Sequence, residues 1–172
     1  MLDIDKYSVS VRLLHWLMVV LFAVIIVVGF VMVAFEDTKP WELFGLHKSL
    51  GVLVFGLVFL RLFARATSAA PPLPASTPLI AQWIAHGTVI LMYLCMIAMP
   101  ITGYIFSNLD GYKVEFFGVA LPTLFAKNPE LAEKIGDLHG TGGWVFVGLI
   151  GLHILGVIVH HVRGFEVLRR IT

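Results

Sequence analysis

The chain has 172 residues, of which 59% are hydrophobic and 13% charged, with 12 Lys and Arg against 11 Asp and Glu. Soluble domains carry about 25% charged residues, so this composition argues against a water-soluble globule and for an integral membrane protein. A formal net charge of +1 gives no case for nucleic acid binding, because arginines gathered at membrane edges are already explained by topology.

A spanning helix needs about 20 mostly apolar residues. Four windows meet that requirement: Leu13–Ala34, Leu43–Phe63, Leu79–Phe106 and Leu138–His161. The first is too long for a cleaved signal peptide, follows acidic Asp3 and Asp5, and lacks a convincing small-residue cleavage site. The expected fold is all-α: an antiparallel four-transmembrane-helix bundle forming one domain over residues 1–172, with helices at about 8–35, 41–65, 79–107 and 131–163.

The first two helices are joined by the polar turn FEDTKPWE, where Pro40 suits the first position of the second helix because its missing N–H is no loss there. That helix ends in RLFAR, whose arginines can snorkel to headgroups. ATSAAPPLPASTP then reads as a stiff, partly extended link. In the third helix Pro100, within IAMPITGY, removes one backbone hydrogen bond and is expected to kink the helix. The segment from Ser107 to Asp137 is too long for a bare turn. In it EFFGVALPTLF is apolar enough to lie on the membrane, and NPELAEKIGD, with Asn128 as N-cap and Pro129 at the first helical position, predicts a short surface helix. Together they would roof that end of the bundle. There is no internal repeat and no glycine fingerprint for dinucleotides or phosphates.

An even number of spans places both termini and the link between the second and third helices on one side. That side carries Lys6, Arg12, Arg61, Arg65, Arg163, Arg169 and Arg170 against Asp3, Asp5 and Glu166. The other carries Lys39, Lys48, Lys113, Lys127 and Lys134 against Glu36, Asp37, Glu42, Asp110, Glu115, Glu130, Glu133 and Asp137. The excess of basic residues predicts cytoplasmic termini.

Seven histidines stand out: His15, His47, His86, His139, His153, His160 and His161. Ionisable residues at membrane depth are costly and usually functional. His139 and His153 are 14 residues apart, which on a helix is close to four turns, so they share a face about 21 Å apart along the axis. That fits inside a hydrocarbon layer of about 30 Å, one residue toward each surface. Chain direction then matches His15 with His153 near the side of the termini, and His47 with His139 near the other.

Two imidazoles facing one another across a bundle are what a bis-histidine b-type haem needs. Zinc and non-haem iron sites gather three or more ligands at one depth, often with a carboxylate, and no span has a carboxylate in its middle. The single cysteine, Cys95, allows neither an internal disulfide nor a C-x-x-C-H attachment, so any haem would be held non-covalently. Glycines on the second helix (Gly45, Gly51, Gly56) and the fourth (Gly140, Gly142, Gly143, Gly148, Gly151, Gly156) fit either the wall of a flat macrocycle or ordinary close helix packing. Arg12 and Arg61 on one side and Lys48 on the other are candidates for haem propionates, although topology alone also puts basic residues there. His86 sits at the depth of His15 and His153; it is a rival iron ligand, or a hydrogen-bond partner for a propionate, a quinone or backbone. His160, one heptad past His153, faces either a quinone carbonyl or the aqueous edge. His161 points about 100° away from it, toward the interface.

The segments SVRLLHWLM, FGLHKSLGVLVFGLVFLRLFAR, IAHGTVILMYLCMIAMPITGY and LHGTGGWVFVGLIGLHILGVIVHH, in that order, resemble the four helices of the bacterial cytochrome b561 family from Tyr7 to the C-terminus. The resemblance implies two haem b groups in the bacterial inner membrane, with His15 and His153 as axial iron ligands of one and His47 and His139 of the other. It also implies electron exchange with quinone. Members of this length without an attached catalytic domain include superoxide oxidases, so the implied reaction is superoxide to ubiquinone. Lysines at 48, 113, 127 and 134 would steer the anion, against a net acidic outer surface. The alternatives are a haem-bearing membrane anchor passing electrons between a partner dehydrogenase or hydrogenase and the quinone pool, and a haem-free bundle whose histidines relay protons.

Overall fold

The computed structural model describes residues 6–38, 40–71, 78–164 and 167–172. Asp3, Asp5, Lys39, Glu166 and residues 72–77 of the proline-rich link lie outside the described residues. Four long helices carry the fold: α1 (Val9–Ala34), α2 (Trp41–Ala66), α3 (Leu79–Leu109) and α4 (Pro129–Val162). Each is long and apolar enough to cross a membrane. Neighbours in sequence pack together, α1 on α2, α2 on α3 and α3 on α4, while α4 makes far fewer close approaches to α1 and α2. The chain is therefore an antiparallel multi-pass bundle with looser contact between its last helix and its first two. The termini and the α2–α3 link mark one end, called here the terminal end; the α1–α2 and α3–α4 connections mark the loop end.

The core is small, as expected where lipid covers the outside and helices associate by packing alone. Met18, Val58, Met96 and Phe146, one residue from each helix, form its centre, with Phe22 and Ile150 among the side chains packed around them. A second cluster, Ile25, Leu50 and Val54, joins α1 to α2. Most other large apolar side chains on the helices face outward.

Pro40 is the N-cap of α2 and not its first residue; the helix begins at Trp41. α3 runs unbroken through Pro100. The separate surface helix expected at NPELAEKIGD is instead the first turns of α4. Asn128 does cap it, its side chain accepting from the Leu131 amide at 3.1 Å, and Pro129 follows as the first helical residue. The helix does not stop at Gly136, because that glycine lies against α3: an added Cβ would stand 3.0 Å from Phe106 Cε2. The missing side chain serves packing here and leaves the helix intact.

The apolar stretch before α4 folds as a small antiparallel hairpin, β1 (Glu115–Phe116) and β2 (Val119–Ala120), that sequence periodicity did not reveal. Its two-residue turn has positive φ at both Phe117 (+47°) and Gly118 (+88°), the backbone twist that tight hairpins favour. Buried Ser49 of α2 holds the hairpin: its hydroxyl donates to Glu115 O at 3.1 Å and Gly45 O at 2.9 Å, and accepts from the Phe117 amide at 3.1 Å. Asn108 Oδ1 accepts from the Leu124 amide at 2.8 Å, and the Tyr104 hydroxyl donates to Pro122 O. The connection is thus tied down over the loop end.

Candidate functional site

Helix direction and length bring four of the seven histidines together in twos. At the terminal end the rings of His15 (α1) and His153 (α4) have centres 6.4 Å apart and planes at 73°. At the loop end His47 (α2) and His139 (α4) have centres 6.2 Å apart and planes at 82°. All four side chains are half-buried. A metal–imidazole bond of about 2.0 Å on each side, plus roughly 1.1 Å from nitrogen to ring centre, puts two imidazoles sharing one metal about 6 Å apart between centres. Both pairs have that spacing. Among the described residues no group of three His, Cys, Asp or Glu side chains gathers as a metal cluster.

The loop-end pair is held by oxygen acceptors. His47 Nδ1 donates to Ile25 O at 3.1 Å, and Gly29 permits the approach, since a Cβ there would lie 3.0 Å from His47 Cε1. His139 Nδ1 lies 3.1 Å from Thr102 Oγ1, and a Cβ on Gly103 would stand 3.0 Å from His139 Cε1. With its proton on Nδ1, an imidazole offers the Nε2 lone pair. Gly29, Gly103 and Thr102 were not found by sequence reasoning. The available signal was small residues at the histidines' depth on neighbouring helices.

The terminal-end pair has a different setting. Arg61 Nη2 donates to His15 Nδ1 at 3.1 Å, Nε to the Tyr93 hydroxyl at 3.1 Å and Nη1 to Val11 O at 3.4 Å. Arg12, one turn before His15, has a buried Nε with no hydrogen-bond partner among the described residues. The last residues fold back here: the Trp16 indole donates to Ile171 O at 3.0 Å, and the Tyr7 amide to Arg170 O at 3.0 Å.

The other candidates are dispersed. His86 is exposed on α3, its Nδ1 donating to Gln82 O at 2.7 Å, and belongs to neither ring pair. His160 is half-buried in the last turn of α4, and His161 is exposed. Lys48 reaches the roof, donating to Lys113 O at 3.4 Å with its ammonium 5.4 Å from the Tyr112 ring centre. Lys134 is paired with Glu130 at 2.7 Å.

A family model described as prokaryotic cytochrome b561 matches residues 6–172. The chain belongs to the prokaryotic cytochrome b561 family. Similar proteins include cytochrome b561 homolog 2 of Escherichia coli (strain K12), 29% identical over 161 residues that cover 91% of this chain and 85% of that protein. A probable superoxide oxidase CybB of Yersinia pestis is also 29% identical over 161 residues, covering 91% and 89%. Cytochrome b561 homolog 1 of E. coli (strain K12) is 26% identical over 117 residues, or 67% and 65%. As a cytochrome b561 this is a membrane oxidoreductase of the haem b class.

The residues present fit that cofactor. Besides the ring spacings and the buried donor on Arg12, the glycines divide by role. Added Cβ atoms on Gly142 and Gly143 would meet Met99, at 2.7 Å from its sulfur and 3.8 Å from its methyl, which is close helix packing. Among the described residues, nothing lies within 4 Å of where a Cβ would be on Gly45, Gly56, Gly140, Gly148, Gly151 or Gly156. The close-packing reading holds for Gly142 and Gly143, which seat α4 on α3, while the other six leave open space along α2 and α4.

Proposed function

We propose that this cytochrome b561 is a di-haem superoxide:ubiquinone oxidoreductase, built as one membrane domain over residues 1–172. His15 with His153 and His47 with His139 would hold the irons of two haem b groups. The supporting observation is the pair of ring separations, 6.4 and 6.2 Å, each of a size to admit one iron, at two depths of the same bundle. Haem bound there would supply one-electron exchange.

The protein's residues orient that chemistry. The basic excess at the terminal end supports a cytoplasmic location for it under the positive-inside rule, with His47 and His139 then toward the outer surface of the inner membrane. Arg12 and Arg61 would hold propionates at the cytoplasmic site, and Lys48 at the outer one. His160 stands where it could hydrogen-bond a quinone carbonyl, and His86 lies near the same surface. Outside, each superoxide gives up one electron and leaves as dioxygen. Inside, ubiquinone takes two electrons and two protons to become ubiquinol. The similarity to the probable superoxide oxidase of Yersinia pestis supports this donor over a partner dehydrogenase.

The test uses the purified full chain. Pyridine haemochrome analysis should give two haems per polypeptide, and ubiquinone with enzymatically generated superoxide should yield ubiquinol faster than without protein. A colourless polypeptide refutes the reading; a di-haem protein inert to superoxide, purified with further subunits, supports the membrane-anchor alternative.

A further inference from the structure

The ligand reading gives α3 no part in holding iron, yet α3 meets His139 at Thr102 and Gly103, with the Met99 backbone carbonyl beside them. Thr102 Oγ1 lies 3.1 Å from His139 Nδ1, and the same hydroxyl donates to Ala98 O at 2.9 Å and Met99 O at 3.0 Å. A hydroxyl has one hydrogen and two lone pairs. With that hydrogen directed to the helix carbonyls, the oxygen can only accept from the imidazole. The ring proton is therefore held on Nδ1, and Nε2 keeps its lone pair. Gly103 makes the approach possible: a Cβ there would stand 3.0 Å from Cε1 and 3.4 Å from Nδ1 of the same ring. Thr102 and Gly103 together form a seat, one residue supplying the acceptor and the next the clearance.

The other loop-end ring, His47, has an equivalent acceptor in Ile25 O, but a backbone carbonyl cannot be removed by substitution. At the terminal end His15 Nδ1 meets a guanidinium, which only donates. The two sites thus differ in the sign of the group facing Nδ1.

An acceptor on the remote nitrogen fixes the tautomer and the ring plane and makes the imidazole a stronger donor to its metal. A stronger donor favours the ferric state. We propose that Thr102 is a positioning residue for the loop-end haem, holding His139 in its ligating tautomer and lowering the reduction potential of that haem. This inference rests on His139 being an iron ligand.

The experiment is a redox titration of the purified, haem-loaded full chain, followed optically and by low-temperature EPR. The loop-end haem is recognised as the signal lost in His139→Ala. Thr102→Val keeps the side-chain shape without the acceptor; it should retain two haems, raise the loop-end potential and shift that haem's low-spin EPR signal, leaving the other haem unchanged. Thr102→Ser should restore both toward the parent values. An unchanged loop-end potential and EPR signal in Thr102→Val overturns the proposal. If Thr102→Val does not fold, Thr102→Ala removes the same oxygen without added bulk and is read identically. If His139→Ala keeps two bis-histidine haems, the ligand reading fails and this inference with it. If it loses one haem while the Thr102 variants change nothing, only the role of Thr102 fails.

Discussion

Phe22 and Phe146 meet edge to face near the middle of the bundle, with ring centres 5.1 Å apart and planes at 80°. Phe146 is seven residues from His139 and seven from His153, so it stands about 10 Å along α4 from each. Phe22 is seven residues past His15 on α1. An aromatic contact thus fills the layer between the two histidine pairs, where α4 otherwise stands off from α1. Phe146 is 4% exposed and packs with Met18, Val58 and Met96 from the other three helices.

Because this ring joins all four helices, Phe146→Ala is expected to destabilise the bundle by about 3–5 kcal/mol, the usual cost of emptying a core phenylalanine site. Phe146→Leu should cost less. The check is thermal denaturation in detergent followed by loss of the haem Soret band. A midpoint unchanged by Phe146→Ala would show that the ring does not hold the layer together.

Arg61 and His15 lead to a second expectation. The guanidinium donates to His15 Nδ1 at 3.1 Å, which leaves the imidazole proton on Nε2, the nitrogen an iron would need. Ligation through Nε2 requires Arg61 to release that contact, and a propionate carboxylate is the stronger partner for it. Arg61→Leu should therefore weaken haem retention at the terminal end while sparing the loop end. Arg61→Lys, which keeps the charge without the planar fork, should be intermediate. Haem content after dilution against apomyoglobin measures this; equal retention in all three proteins would remove Arg61 from the site.

The roof over the loop end depends on Ser49. One buried hydroxyl, 4% exposed, makes three hydrogen bonds, two of them to the hairpin, beside a turn in which Phe117 is held at φ +47°. A non-glycine residue in that region needs its surroundings to keep it there. Ser49→Ala leaves the Phe117 amide without its partner, at a cost of about 1–3 kcal/mol. Trypsin should then cut faster after Lys113 or Lys127, with both haems retained. Unchanged cleavage would mean that Asn108 and Tyr104 suffice to hold the roof.

Much of this arrangement can be read from the chain because the bilayer limits the choices. Four apolar runs can only be four spans, and alternating direction then fixes which histidines share a depth, which is why His15 falls beside His153 and His47 beside His139. The hairpin was hidden because two strands of two residues leave no alternation to detect, and its apolar surface reads equally as membrane contact. The start of α4 was divided from the rest because Gly136 and Asp137 look like an interruption. Only the approach of Phe106 shows that the glycine is there for packing. Thr102 was invisible for a different reason: a threonine on an apolar helix usually bonds its own backbone, which this one does, and its second contact depends on where a distant helix places a ring.

The ring planes give a last expectation. At each pair the imidazoles are nearly perpendicular, 73° for His15 with His153 and 82° for His47 with His139. Each imidazole raises the iron d orbital that overlaps its π system. Parallel rings raise the same orbital and split the pair; perpendicular rings raise one each and leave the two nearly equal in energy. Near-equal orbitals give a strongly anisotropic low-spin ferric EPR signal at unusually low field, and split orbitals give an ordinary rhombic one. Both haems of the oxidised protein should show the low-field form. For the loop-end pair Ile25 O and Thr102 Oγ1 meet the two Nδ1 atoms, so removing the second of these contacts should move that signal toward the rhombic type. A rhombic spectrum from both haems of the unmodified protein would mean that the rings turn when the cofactor binds, and that the hydrogen bonds described here do not fix them.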